Sequence, residues 1–186
     1  MTLEDRITRL EDIEDIRNLQ AKYQRCLDTR DFDGIADCFS DTVTSSYGNG
    51  KMSYQGKDAV LNFLCSVMSL GMPSTHLIHG GEVDVQDASH AHAKWYLEDH
   101  LLHQKFLVKL HGAAIYDVDY VKSDNRWLIQ NIGYERCYEY FEFRGLLNIL
   151  TLRKKTFLDR VRKADPTTLG KYGQHFQYDI LKKKKK

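Results

Sequence analysis

The chain has 186 residues, of which 42% are hydrophobic and 28% are charged. This composition is typical of one folded domain with a genuine core, and it excludes a disordered chain. No apolar run approaches the ~20 residues that a membrane-spanning helix needs, so we predict no membrane insertion. The formal net charge of +1 conceals an asymmetry, because residues 1–150 carry a net charge of −8 and residues 151–186 a net charge of +9.

The basic C-terminal segment is the first organisational feature. We predict one domain over residues 1–146 and a C-terminal extension over 147–186, with a short helix around 146–161 and a basic tail. Such a tail can bind nucleic acid or acidic lipid. Five terminal lysines more often form a solubilising end, however, so we predict no nucleic-acid partner.

Cysteine usage and the N-terminus indicate the compartment. The cysteines lack CxxC or zinc-finger spacing, which favours reduced, packed thiols. The first residues are charged and helical and show no signal peptide. We therefore predict a cytoplasmic protein. The four cysteines are Cys26, Cys38, Cys65 and Cys137.

Helical patterns dominate the first 70 residues. Apolar residues spaced three and four apart predict one amphipathic helix over residues 3–30 and a shorter one over 31–39. A strand over 42–47 turns back at 48–50, and a third helix over 56–70 ends before Pro73. The first helix carries its stripe at Leu3, Ile7, Leu10, Ile13, Ile16, Leu19, Tyr23, Cys26 and Leu27.

The period then changes from 3.6 to 2, which indicates strands. We predict strands over 75–79, 82–87, 89–103, 106–122 and 126–143, with a tight hairpin turn at Ser123-Asp124-Asn125. Helices followed by long antiparallel strands indicate an α+β fold. Because such long strands must curl, we expect the helices to pack on a strongly curved sheet and enclose a pocket, as in a cone.

Asp28 lies where a carboxylate is unexpected. It falls in the last turn of the first helix, where unpaired carbonyls and the helix dipole favour cations. A carboxylate there is either a solvated helix end or a residue kept for a partner, and both readings stay open at this point.

Two charged residues fall on apolar strand faces. Asp99 alternates in phase with Ala91, Ala93, Trp95 and Leu97, so we predict that it points inward, where an ionised group needs a partner. A bulge would turn it outward instead. Arg136 is the candidate inward cation of the last strand, on a face that we predict to comprise Leu128, Gln130, Ile132, Tyr134, Arg136 and Tyr138.

His76 is a candidate general base, because the ordinary pKa of an imidazole lies near neutrality. A carboxylate on its far ring nitrogen would fix its tautomer, and Asp28 would gain a partner from the same bond. A satisfied core or rim histidine is the alternative.

Other polar residues permit weaker hypotheses. His90 and His92 share a strand face, with His100 and His103 beyond, but no carboxylate or cysteine stands at a spacing that completes a metal site. We therefore predict no metal. Several tyrosines are expected as amphipathic wall material: Tyr47, Tyr54, Tyr96, Tyr116, Tyr134 and Tyr138.

Four short segments carry a family resemblance. In this order along the chain they are Tyr23-Gln24-Arg25-Cys26-Leu27-Asp28, Thr44-Ser45-Ser46-Tyr47-Gly48-Asn49-Gly50-Lys51, Trp95-Tyr96-Leu97-Glu98-Asp99 and Gly133-Tyr134-Glu135-Arg136-Cys137-Tyr138-Glu139. With them, residues 3–145 resemble the SnoaL-like branch of the NTF2-like cone fold, and within it the bacterial bile acid 7α-dehydratases. Two further segments, 75–81 and 101–106, resemble scytalone dehydratase, a relative with the same fold and reaction type.

The resemblance implies a set of site residues. It assigns catalytic positions to Tyr23, Asp28, His76, Asp99 and Arg136, and we add His103, Tyr47 and Tyr116 as further candidates. It also implies a homotrimer and no metal or organic cofactor.

The resemblance implies elimination of water from a hydroxysteroid, most closely the 7-hydroxyl of a 3-oxo-4-ene bile acid or its CoA thioester. Other readings remain: a scytalone-type dehydratase, a ketosteroid-isomerase-like enzyme, or a non-catalytic ligand-binding module on the same cone.

Overall fold

The computed structural model describes residues 1–48, 50–68 and 71–143. In these residues the helices are α1 (Leu3–Thr29), α2 (Phe32–Cys38) and α3 (Lys57–Val67). The strands are β1 (Phe39–Tyr47), β2 (Met52–Gln55), β3 (Ser74–Val85), β4 (His90–His103), β5 (Val108–Ser123) and β6 (Arg126–Phe143). The predicted domain boundary at 146, the helix over 146–161 and the basic tail lie outside the described residues.

Both ends of α1 are set by local chemistry. Thr2 and Asp5 form a capping box, in which each side chain accepts a hydrogen bond from the other's backbone N–H. The helix ends at Arg30, which adopts the left-handed conformation with φ +58°. Asp31 then caps α2 by accepting a hydrogen bond from the backbone N–H of Gly34. The predicted boundaries of α1 and α2 are confirmed to within a residue, whereas α3 ends at Val67, three residues before its predicted end.

The apolar stripe of α1 is buried only in part. Ile16, Tyr23 and Leu27 are buried in the core, whereas Leu3, Ile7 and Leu10 are exposed. Periodicity reports which side of a helix is apolar, but not how far along its length a partner surface extends. No helix in the described part of the chain is long and apolar enough to cross a membrane.

One curved sheet forms the other layer, in the order β2-β1-β6-β5-β4-β3. Adjacent strands in the sheet pair antiparallel, except that β1 and β6 pair parallel. The sheet does not close into a barrel, and the core lies between it and the helices. The turn from β5 to β6 places Asp124 and Asn125 at φ +49° and +60°, typical of a tight two-residue hairpin. The predicted α+β cone is confirmed.

Strand phase differs from prediction in two places. The predicted strands over 75–79 and 82–87 are one strand, β3, with an irregularity after His79 where Gly80 takes φ +44°. In β6, register shifts opposite the Asp119–Tyr120 and Ala113–Ala114 steps change which side chains face inward. The predicted inward face is therefore wrong in part, because each extra residue reverses the alternation. The described inward residues of β6 include Trp127, Ile129, Ile132, Tyr134 and Arg136, while Leu128, Gln130 and Tyr138 lie on the other side.

Candidate active site

A carboxylate–imidazole pair joins the end of α1 to the start of β3. Asp28 Oδ1 lies 2.6 Å from Nδ1 of His76, and Oδ2 accepts the backbone N–H of His76 at 2.8 Å. The side chains are 21% and 8% exposed, so water has little access to the bond. The contact that the sequence predicts is present. It places the proton of a neutral imidazole on Nδ1 and leaves a lone pair on Nε2, at the ring edge away from Asp28.

Arg30 and Ser74 hold Asp28 in place. The Ser74 hydroxyl donates to Asp28 Oδ1 at 2.9 Å and accepts from Arg30 Nη1 at 2.8 Å. The same guanidinium donates to the backbone carbonyls of Leu27 and Asp28, and therefore also satisfies the helix end. Burial lowers the pKa of Arg30 to about 10, although the charge of Asp28 opposes that shift. A buried cation thus offsets both the helix dipole and the carboxylate at the end of α1.

Arg30 and Ser74 were not among the residues predicted from the sequence. Two local signals were available, since Arg30 follows Asp28 by two residues and Ser74 precedes His76 by two on the same strand face. Neither spacing predicts that Arg30 and Ser74 contact each other, because 44 residues separate them along the chain.

A second charged pair lies beside the first. His76 is the cross-strand neighbour of Asp99, on the inward face of the sheet. Asp99 is 3% exposed and binds Arg136 through two hydrogen bonds, Nη1 to Oδ1 at 2.7 Å and Nη2 to Oδ2 at 2.6 Å. Burial acts to lower the pKa of Arg136, but the hydrogen bonds and charge of Asp99 raise it overall. The inward placement of Asp99 agrees with the sequence interpretation, and Arg136, the candidate inward cation, is its partner.

Gly112 makes room for this ion pair. It is the β5 residue opposite Asp99, and a Cβ at this position would lie 2.4 Å from Arg136 Nη1 and 2.8 Å from Asp99 Oδ1. Any side chain would therefore displace one of the two partners.

Three buried tyrosines supply hydroxyl groups close to the charged pairs. Burial raises the pKa of Tyr23 and Tyr116 well above the ordinary value and that of Tyr47 to about 12. All three therefore stay protonated and can donate a hydrogen bond at neutral pH. The Tyr47 hydroxyl is buried and forms no hydrogen bond of normal geometry with the described residues.

These groups meet in one cavity of about 260 Å³ between the sheet and the helices. Its polar wall comprises Tyr23, Tyr47, His76, Asp99, Tyr116, Tyr134, Arg136 and Glu139. Its apolar wall comprises Leu27, Met52, Phe63, Leu64, Val67, Met68, Met72, Leu97, Leu101 and Leu110. An apolar chamber with polar groups at one place is the usual form of a small-molecule site.

Some predicted candidates lie elsewhere. His103, at the end of β4, stacks on Phe106 and is not among the described residues that line the cavity. Tyr96 and Tyr138 are exposed on the outer face of the sheet, so the prediction that they belong to the wall is wrong.

The candidate metal residues also differ from the predicted set. His90 and His92 bind nearby carboxylates, at Asp87 and Asp119 respectively. His100 lies on the outer face with Glu98 and His111, whereas His103 lies on the inner side of the same strand, so a single site cannot include both.

Sequence and structure comparisons agree on the fold family. The profile of the SnoaL-like domain matches residues 8–132. A proposed scytalone dehydratase from Novosphingobium aromaticivorans superposes with a TM-score of 0.67 at 16% identity, covering 75% of this chain and 91% of that one. The hexachlorocyclohexane dehydrochlorinase LinA-type3 from Novosphingobium barchaimii gives a TM-score of 0.68 at 16% identity, with 79% and 98% covered. ActVI-ORFA from Streptomyces coelicolor gives 0.58 at 12% identity, with 67% and 96% covered. At these identities the structural likeness establishes the fold alone.

Proposed function

The chain belongs to the SnoaL-like family, and from that premise we propose that it is a cofactor-independent dehydratase. The substrate we propose is a hydroxysteroid, specifically a 3-oxo-4-ene bile acid or its CoA thioester, which loses its 7-hydroxyl as water. The names of two structural relatives, a dehydratase and a dehydrochlorinase, both describe eliminations and support this reaction class.

One observation carries the proposal: His76 lies in the wall of an apolar cavity, with its Nδ1 held by Asp28 and its Nε2 free of any described hydrogen-bond partner. A base for carbon acids needs a fixed tautomer and a dry environment. A binding protein gains nothing from holding an imidazole in this way, because a buried ionisable pair costs desolvation.

The proposed first step is proton transfer. His76 Nε2 removes the proton from the carbon next to the hydroxyl-bearing carbon, a proton made acidic by the conjugated enone. The electron pair of that C–H bond passes into the enone, and negative charge develops on the ketone oxygen. Asp28 stabilises the imidazolium that forms.

The tyrosines receive the developing charge. Tyr23 donates a hydrogen bond to the enolate oxygen, and Tyr47 and Tyr116 are further donors in the same wall. Tyr47 contributes a buried hydroxyl that stays protonated at neutral pH.

The leaving hydroxide takes its proton from His76. The electron pair returns, the C–O bond breaks, and the imidazolium proton completes the water molecule. Asp99 is less suited as the acid, because its two oxygens already accept charge-assisted hydrogen bonds from Arg136. Asp99 and Arg136 serve instead to shape the polar wall.

Cavity size favours a second candidate substrate class. A volume of about 260 Å³ is slightly below the roughly 300–1,000 Å³ of typical ligand pockets. A bile acid therefore fits only with part of the molecule outside the cavity, whereas a smaller cyclic hydroxyketone, as in a scytalone-type reaction, fits within it.

A substrate panel separates these candidates. The purified chain is incubated with 7-hydroxy-3-oxo-4-ene bile acids, as both epimers and as free acid and CoA thioester, and with smaller cyclic hydroxyketones. Mass spectrometry scores the loss of one water, and diene absorbance gives the rate. Loss of water from the steroids supports the first class and loss only from small rings the second, whereas double-bond migration without water loss indicates an isomerase. Binding without any turnover across the panel contradicts the enzyme proposal.

The homotrimer is a separate proposal, and light scattering on the purified chain tests it.

A further inference from the structure

The outer face of the sheet carries a second polar cluster, opposite the cavity. Because side chains alternate along β4, Glu98 and His100 point outward on either side of the inward Asp99. His111 of β5 is the direct cross-strand neighbour of His100, and His79 of β3 comes from the other side of β4. Three adjacent strands thus bring three imidazoles to one carboxylate.

The donor atoms converge closely. Glu98 Oε1 lies 3.0 Å from Nε2 of His111 and 3.2 Å from Nε2 of His100, and the ligand atoms of these three residues all lie within 4.8 Å of one another. The rings of His100 and His111 stack at 4.1 Å between centroids, which brings both Nε2 atoms to the same carboxylate. Nε2 of His79 lies 3.6 Å from the other oxygen of Glu98.

The two separations from Glu98 Oε1, 3.0 and 3.2 Å, match the edges of a metal coordination polyhedron. Ligand atoms at 2.0–2.1 Å from a tetrahedral Zn²⁺ are about 3.3 Å apart. Imidazole nitrogens with one carboxylate oxygen form a donor set that Zn²⁺ and neighbouring divalent metals accept.

The second ring nitrogen of His111 also has a hydrogen-bond partner. Its Nδ1 lies 2.5 Å from the hydroxyl of Tyr140, on the neighbouring strand β6. Metal-bound histidines generally use their second nitrogen in such a contact, which orients the ring.

We propose that Glu98, His100 and His111 bind a divalent transition-metal ion of the Zn²⁺ type through one carboxylate oxygen and two imidazole nitrogens. The site lies on the face opposite the proposed reaction, so its metal acts on stability rather than on chemistry. It ties β4 and β5 together next to Asp99, the inward residue that lies between Glu98 and His100 on β4.

The test is metal binding to the tag-free, full-length chain. Calorimetric titration of ZnCl₂ at pH 7.5 is expected to give one ion per chain, and the melting temperature is expected to rise with Zn²⁺ because the ion binds only the folded form. His111→Ala and His100→Ala are each expected to weaken Zn²⁺ binding at least tenfold. Binding is also expected to weaken in acid, as protons compete with the metal for the imidazoles.

The matched control is His92→Ala. His92 lies on the same outer face beside Asp117 and Asp119 but has no second imidazole within contact distance among the described residues, so its loss is expected to leave Zn²⁺ affinity unchanged. If a histidine variant fails to fold, Glu98→Gln with Co²⁺ as the probe replaces it, and the visible absorption of tetrahedral Co²⁺ is expected in the wild type and lost in the variant. Absence of stoichiometric binding in the wild type, or an equal loss in His92→Ala, would overturn the proposal.

Discussion

The two faces of β4 use the same chemical groups in opposite ways. On the inner face, both carboxylate oxygens of the buried Asp99 accept hydrogen bonds from Arg136. Next to Asp99, Nδ1 of His76 is hydrogen-bonded to Asp28. On the outer face, the neighbouring Glu98 shares its oxygens among three imidazoles in contact with water. On the inner face each charged group has its own partner, because an unpaired charge in the core is costly. On the outer face solvent allows one carboxylate to contact several imidazoles, and a cation has access to them.

The largest expected contrast is between an inner and an outer histidine. His76→Ala is expected to lower kcat by roughly 10³-fold, since general base catalysis is lost, while circular dichroism stays unchanged. His92→Ala, on the outer face, is expected to leave kcat unchanged.

Asp28→Asn is expected to lose most of the activity with the fold intact. The double variant His76→Ala/Asp28→Asn is expected to lose little more activity than the worse of the two single variants. Simple additivity of the two effects would contradict the pair.

Neighbouring carboxylates sharpen the contrast in stability. Asp99→Asn leaves the half-buried Arg136 with the more exposed Glu139 as its counter-charge and is expected to lower the free energy of unfolding by about 3 kcal/mol. Glu98→Gln, one residue away on the outer face, is expected to change it little. Urea unfolding of both variants at low metal concentration measures the difference, and similar losses would break the comparison.

Tyrosine ionisation gives a pH-dependent contrast. The pKa of Tyr47 is raised to about 12 in the folded state, above its ordinary value near 10, so above pH 10 the unfolded state releases this proton while the folded state retains it. Stability is therefore complete below pH 10 and falls as pH rises from 10 to 12, by about 2–3 kcal/mol for this group. Tyr47→Phe is expected to make that fall less steep in urea unfolding by the share of this one group, since Tyr23 and Tyr116 also keep their protons in the folded state. Tyr138→Phe, exposed on the outer face, is expected to leave the fall unchanged. An equally steep fall in Tyr47→Phe would contradict the assignment.

The smallest expected effect concerns a positioning residue. Ser74→Ala removes one donor from Asp28 and is expected to lower kcat about tenfold with KM unchanged, equivalent to one hydrogen bond to a charged group. Ser74→Thr keeps the hydroxyl and is expected to restore the rate. Thr75→Ala, the exposed outward neighbour, is the control, and a rate loss there as large as in Ser74→Ala would argue against positioning.

Local patterns predicted the elements that depend on near neighbours. The boundaries of α1, the two-residue turn at Asp124–Asn125 and the inward phase of Asp99 all follow from spacing within one segment, so they could be predicted from the chain. The residues of the candidate site were found because the inward charge at Asp99 and the misplaced carboxylate at Asp28 violate local expectations, and because the family resemblance identified the same positions.

Contacts between distant segments were decided only by the tertiary structure. The register shifts of β6 depend on its pairing with β5, and they turned Leu128, Gln130 and Tyr138 away from the predicted face. The support of Asp28 by Arg30 and Ser74, and the meeting of Glu98 with His111, arise from segments that the sheet brings together. The sequence by itself determined which residues are out of place in their own helix or strand, whereas their partners depended on the curvature and register of the sheet, which no single segment encodes.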